Sequence, residues 1–363
     1  MQQLATRIGK LTLLTLGALL STSSLVFPSI AVHAQTGAYA VTESGADTLS
    51  LVTPDGVRTV LYQFKFGTAP FGVAIDSAGN YIVAEQGTNV LSKITPAGVR
   101  FVIYQFASNT EPHRVIIDSE GNYIVCEIAA NTLSKVTPAG VRTVIYQGLS
   151  GPAGVAIDSE KNYIVAEHDG NVLSKITPSG TRTVIYNFTS NNGPSDVAID
   201  AQGNYIVAEN TANILSKITP NGTRTVIYQF PPNSGPHAVS IDSDGNYIVV
   251  EESGSVISKI TPAGVRTVIY QFPFDEPTDV AIVPTQFLQN ATLTKVSPAT
   301  TSTSLGTGSS TSIGEVSTTA STKGGGGIPE FLFQGLVATV FVILVASSYL
   351  VVKRFARMRP NAV

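Results

Sequence analysis

A ten-residue pattern, Asp-Ser-x-Gly-Asn-Tyr-Ile-Val-x-Glu, begins at Asp76 and returns with variations at Asp118, Asp158, Asp200 and Asp242, at spacings of 42, 40, 42 and 42 residues. Other markers run to six copies. Tyr39, Tyr81, Tyr123, Tyr163, Tyr205 and Tyr247 each stand four residues before a glutamate, namely Glu43, Glu85, Glu127, Glu167, Glu209 and Glu251. Thr-Pro-x-Gly starts at Thr53, Thr95, Thr137, Thr177, Thr219 and Thr261. A unit of about 40 residues is too small to bury its own apolar face and must stack on its copies.

Each unit reads as four short strands. In the second copy, Val73-Ala74-Ile75 is a compact apolar run, and Asp76 to Asn80 carries the Asp, Gly and Asn that accept turn geometry. Tyr81 to Glu85 and Asn89 to Ile94 follow, and Pro96 with Gly98 closes a hairpin into the β-branched and aromatic run Val99 to Tyr104. Four strands at this period make a propeller blade. The Thr-Pro-x-Gly turns exclude a helical solenoid.

The ends of the array predict how it closes. The first copy begins at strand two, Ala38 to Val41, and the array ends on an orphan first strand, Pro277 to Ile282. Pairing one with the other leaves no open edge. The expected fold is all-β, a six-bladed propeller over residues 36–285.

The unit Gly-Asn-Tyr-Ile-Val-Ala-Glu followed by Asn-x-Leu-Ser-Lys-Ile-Thr-Pro-x-Gly, as in Gly79 to Gly98, resembles the repeat of the streptogramin (virginiamycin B) lyase family. More loosely it resembles NHL repeats and SMP-30/gluconolactonase propellers. The resemblance implies a metal-dependent lyase or lactonase, with Glu111, His113 and Glu127 at the catalytic positions and His113 and Glu127 toward a divalent metal such as Mg or Ca. Two departures stand beside it: the family's strand-two Trp is Ile here, as at Ile82 and Ile124, and a further family histidine falls at Phe71. The lyases have seven blades.

In a propeller the first strand of each blade lines the channel and the second returns beside it, so the start of one and the end of the other share a mouth. That mouth is expected to carry the glutamates Glu43, Glu85, Glu127, Glu167, Glu209 and Glu251. It also takes the residue after each blade's opening proline: Phe71, His113, Ala153, Ser195, His237 and Thr278. Arg114, Asp196 and Asp279 come next. Unlike the frame, these positions vary from blade to blade, as in a site built on a repeating scaffold. Imidazole with carboxylate, as in Glu111-x-His113 with Glu127 or His237 with Glu251, is a metal or acid/base set. The alternative is that the repeated glutamates accept structural hydrogen bonds and the histidines are plain polar lining. Cys126, the single cysteine, excludes an intramolecular disulfide and reads as a buried thiol. The repeated lysines and the arginines Arg58, Arg100, Arg142, Arg182, Arg224 and Arg266 are expected as a solvated ring.

The two ends predict export and anchoring. Residues 1–35 read as a signal peptide: Arg7 and Lys10, an apolar run from Leu11 to Leu20, and a cleavage site after Ala34. Residues 286–327 are a Ser/Thr/Gly-rich stalk. Residues 328–352 contain an apolar stretch, 331–352, long enough to span a bilayer, and the basic tail 353–363 places the C-terminus in the cytoplasm. Ile328-Pro329-Glu330-Phe331 with that stretch and tail also resembles C-terminal sorting signals of the PEF/PEP type, so the segment is either retained or processed.

Only 13% of the chain is charged, with a net charge of −3. Residues 36–285 hold 14 basic and 23 acidic side chains, so the array is acidic and offers nucleic acid no basic face. Glycosylation acceptor patterns occur at Asn187, Asn221 and Asn290, the last on the stalk. The leading functional expectation is a surface-displayed binding module for a small molecule, a glycan or an envelope protein. The alternatives are the lyase or lactonase and a packing element of a surface layer.

Overall fold

The computed structural model describes residues 37–189, 191–273 and 276–288. The expected signal peptide, almost all of the stalk, the apolar stretch, the basic tail and Asn290 lie outside them. Among the described residues no helix is long and apolar enough to cross a membrane.

Six four-stranded antiparallel sheets form the six blades. Blade one takes β1 (Ala38–Glu43), β2 (Thr48–Val52) and β3 (Arg58–Gln63). Blade two is β4 (Pro70–Ile75), β5 (Tyr81–Glu85), β6 (Val90–Ile94) and β7 (Arg100–Gln105). Blade three is β8 (Pro112–Ile117), β9 (Tyr123–Glu127), β10 (Thr132–Val136) and β11 (Arg142–Gln147). Blade four is β12 (Pro152–Ile157), β13 (Tyr163–Glu167), β14 (Val172–Ile176) and β15 (Arg182–Asn187). Blade five is β16 (Pro194–Ile199), β17 (Tyr205–Glu209), β18 (Ile214–Ile218) and β19 (Arg224–Gln229). Blade six is β20 (Pro236–Ile241), β21 (Tyr247–Glu251), β22 (Val256–Ile260) and β23 (Arg266–Gln271). The last strand, β24 (Pro277–Val283), returns to become the inner strand of blade one. Its register on β1 runs from Ala38 opposite Val283 to Glu43 opposite Pro277. The closure is the one the orphan strand predicts.

Local chemistry sets each turn. Asp76 Oδ1 accepts from the backbone N–H groups of Ala78 and Asn80 at 2.9 and 2.8 Å, so the aspartate holds its own turn shut, and Asp118, Asp158, Asp200 and Asp242 do the same. In the Thr-Pro-x-Gly hairpins the glycine N–H donates to the threonine carbonyl, and Gly98 sits at φ +76°, a conformation open to glycine without strain.

The core lies between blades rather than within them. Ile82, Ala84, Leu91 and Phe106 of blade two pack on Val115, Tyr123, Val125 and Val136 of blade three. The same arrangement seals the ring, where Tyr39, Val41, Val52 and Val280 of blade one meet Ile248, Val250, Ile257 and Phe272 of blade six. A fully buried side chain of this size contributes about 1.5–3 kcal/mol, so closure rests on packing as well as on strand pairing.

The outer strands are exposed edges with a built-in irregularity. In all six blades the register slips where the third strand meets the fourth, at Leu49/Ser50, Leu91/Ser92, Leu133/Ser134, Leu173/Ser174, Leu215/Ser216 and Ile257/Ser258. A bulge twists an edge and blunts it against pairing with another sheet. After β24 a single helical turn, α1 (Thr285–Leu288), sets the Phe287 ring under Gly79, where a Cβ would lie 2.8 Å from it.

Candidate functional site at the channel mouth

The six inner strands begin at one end of the axis, and their register explains how consecutive residues reach it. Pro70 pairs with Glu85, but Gly72 pairs with Ala84, so Phe71 is an inserted residue in a bulge. The same slip follows the opening proline in every blade. A bulge re-aims side chains, and here it lets two successive positions line the channel. The residue before each proline takes positive φ: Ala69, Glu111, Gly151, Gly193, Gly235 and Glu276. Four asparagines and Asp47 hold that residue from the preceding blade, as where Asn131 Oδ1 accepts from Gly151 N–H at 2.8 Å.

Phe71, His113 and His237 close the mouth with three rings. Their centroids are 4.6 Å (Phe71–His113), 5.5 Å (Phe71–His237) and 5.2 Å (His113–His237) apart. His113 Nδ1 lies 2.8 Å from the Ala153 carbonyl oxygen and His237 Nδ1 lies 2.7 Å from that of Thr278. A carbonyl only accepts, so each Nδ1 carries a proton, and in the neutral ring the lone pair sits on Nε2. Burial, then the neighbouring His237, pushes the His113 pKa down to about 3, so its ring is neutral at physiological pH. The hydroxyls beside them are committed. Ser195 Oγ donates toward the Ala208 and Pro236 carbonyls, and Thr278 Oγ1 toward those of Pro70 and Phe71.

The second lining position alternates in size around the ring: Gly72, Arg114, Gly154, Asp196, Ala238 and Asp279. Crowding at the axis requires this. A Cβ at Gly72 would lie 2.4 Å from the His113 carbonyl oxygen, and one at Gly154 would lie 2.4 Å from the Asp196 backbone. The three charged residues come from alternate blades and meet. The Arg114 guanidinium contacts Asp279 and reaches Asp196 Oδ2 at 3.1 Å. Each carboxylate also takes a backbone N–H of the next blade, Val239 for Asp196 at 2.9 Å and Val73 for Asp279 at 2.8 Å. Burial raises the pKa of Asp196, opposed by Arg114 and by the backbone N–H groups of Val239 and Val197. The cavity between these residues is only about 10 Å³, close to the room one water needs.

The glutamates are not where the sequence places them. All six are buried and carry an arginine fifteen residues on: Glu43 with Arg58, Glu85 with Arg100, Glu127 with Arg142, Glu167 with Arg182, Glu209 with Arg224 and Glu251 with Arg266. A serine of the third strand donates to five of them, as Ser134 does to Glu127. Their carboxylates therefore lie on blade faces, and the arginines expected in a solvated ring are their half-buried partners. Glu127 and Arg142 line a crevice of about 270 Å³ between blades two and three with Tyr104 and Phe106, away from the axis. The constant spacing of fifteen is the sequence signal that points to these pairs.

The Glu111, His113 and Glu127 set is accordingly not assembled. Glu111 is exposed on the loop before β8 at φ +53°, and Glu127 is held by Arg142 and Ser134. His237 faces Phe71 and His113, while Glu251 faces Arg266. Among the described residues no group of three or more His, Cys, Asp and Glu side chains could hold a metal ion. The donors implied for Mg or Ca thus do not fit such an ion here. Cys126 is fully buried and burial pushes its pKa up. Asn187 and Asn221 are both exposed.

No protein-family model matches the chain, and no curated protein matches it in sequence. Solved structures do. Virginiamycin B lyase from Staphylococcus aureus is 20% identical, with a TM-score of 0.54 over 69% of this chain and 92% of that one. A catalytically inactive histidine-to-alanine variant of that lyase, with quinupristin, is 21% identical, with a TM-score of 0.54 over 69% and 94%. A chain of a nidogen/laminin complex is 12% identical, with a TM-score of 0.61 over 69% and 99%. The likeness is one of fold. Propellers carry many unrelated functions, so the mouth of this one must be read from its own residues.

Proposed function

We propose that this protein is an exported, membrane-anchored propeller that displays its channel mouth as a binding site for a small molecule or a glycan. One observation carries the reading: the frame repeats almost unchanged, while the six lining positions Phe71, His113, Ala153, Ser195, His237 and Thr278 hold five residue types, only His recurring. Variation confined to one end of a regular scaffold is how a binding surface is written on it. The space beneath the rings is too small for a ligand, so the ligand rests on the floor made by Phe71, His113 and His237. The three rings are tilted at 41°, 74° and 52° to one another, and such a cluster of aromatic surfaces suits the apolar face of a sugar or a planar group. Export and anchoring rest on residues 1–35 and 331–352 and on the basic tail.

Glycan-array screening of the full chain, repeated with Phe71→Ala, tests this reading. Ligands lost with Phe71→Ala support it. Ligands retained at full strength place binding elsewhere and sink it. A second reading, a lyase of the streptogramin type, is favoured by the structural neighbours and by a mouth histidine with a free lone pair. Incubation with quinupristin and mass analysis of the products separates the two.

A further inference from the structure

The mouth holds two nitrogen lone pairs that the fold leaves unspent. Among the described residues, neither His113 Nε2 nor His237 Nε2 has a hydrogen-bond partner, whereas the hydroxyls of Ser195 and Thr278 are committed to backbone carbonyls. Both rings are fixed in tautomer and orientation by a carbonyl on Nδ1, the arrangement that prepares a histidine for a metal ion. They come from blades three and six, on opposite sides of the axis, so no local turn accounts for their meeting.

We propose that His113 and His237 together bind one borderline divalent transition ion of the zinc class through their Nε2 atoms, bridging the channel mouth and leaving the other coordination positions to solvent or ligand. Two observations support this. Two imidazoles bound to one tetrahedral ion at the usual Zn–N length have ring centres roughly 5 Å apart, and these are 5.2 Å apart. The available donors are nitrogen, which selects zinc, nickel or copper and disfavours the oxygen-seeking magnesium and calcium. The site shares His113 with the set implied by the lyase resemblance but takes His237 in place of the carboxylates, and it does not depend on which ligand the mouth takes.

Equilibrium dialysis of the chelator-stripped full chain against zinc, nickel, magnesium and calcium tests the proposal. About one zinc or nickel per chain is expected, with magnesium and calcium unbound. His113→Asn and His237→Asn should each weaken zinc binding by about tenfold or more, and His168→Ala should not. Diethyl pyrocarbonate mapping of the unmutated chain keeps the proposal testable if a variant fails to fold. Zinc should protect His113 and His237 while His168 still reacts. No zinc bound, zinc retained by both asparagine variants, or zinc bound with both rings still reactive would each overturn it.

Discussion

Arg142 Nε lies 2.7 Å from Glu127 Oε1, and the same pairing recurs at the same fifteen-residue spacing in all six blades. Glu127 is nearly inaccessible and Arg142 is 24% exposed, so the pair is mostly desolvated. Removing one partner from such a pair leaves a buried charge alone, at a cost of about 3–5 kcal/mol. Arg142→Leu should therefore destabilise the chain by about 3 kcal/mol in urea unfolding. Arg224→Leu, two blades away, should cost a similar amount. A large loss of ligand binding with only the blade-three variant would contradict a purely structural role.

Glu111 occupies a left-handed position that glycine holds in three other blades. Placing a side chain there costs about 1–2 kcal/mol, partly offset by the unfolded-state entropy of glycine. Glu111→Gly should raise stability by roughly 0.5–1 kcal/mol, read as a higher urea midpoint at unchanged slope. Lower stability would mean that the Glu111 carboxylate makes a contact worth more than the strain.

Stability should fall with acid through His113. Its pKa drops from the ordinary 6.5 to about 3 on folding, so between those values the unfolded chain binds a proton that the folded chain refuses. The contribution is complete above pH 6.5 and is lost as pH falls toward 3, with a limiting slope of about 1.4 kcal/mol per pH unit. Asp196, whose pKa burial raises above the ordinary 3.8, works in the opposite sense from that pH upward. Comparing wild type with His113→Asn at pH 7, 5.5 and 4.5 isolates the histidine. A variant with the same pH slope as wild type would refute the assignment.

Phe272 is 1% exposed at the seam where blade six meets blade one. Phe272→Ala should cost about 3–5 kcal/mol and loosen β24 before the other strands. Hydrogen exchange should show faster exchange at Val280 and Ile282 than in β16. Uniform exchange across the inner strands would show that the seam is no weaker than the other joints.

Cys126 should resist thiol reagents in the folded chain and react at once in denaturant, because it is buried and its thiol is held protonated. Rapid labelling of the native protein would show that blade three opens locally.

Blade boundaries, turn chemistry and ring closure were legible in the sequence because they rest on short-range rules: β-branched runs, Asp and Gly at turns, and a missing strand at each end. The direction of the glutamates was not. Glu85 ends its strand beside the mouth, but its side chain turns along the blade face to Arg100, and only the spacing of fifteen hints at that. The channel lining was half legible. The positions that vary could be named, but the bulge that inserts Phe71 or Ser195 is a property of strand register, not of residue type. The meeting of Arg114 with Asp196 and Asp279 joins three blades and follows from ring geometry alone.

Ala38 pairs with Val283, so the polypeptide comes into the disc and leaves it side by side, at the end of the axis opposite Phe71 and His237. The disc is therefore wired like a plug, with both leads on its back. It could be spliced into a surface loop of another protein or permuted at a far-side turn with little disturbance of its front.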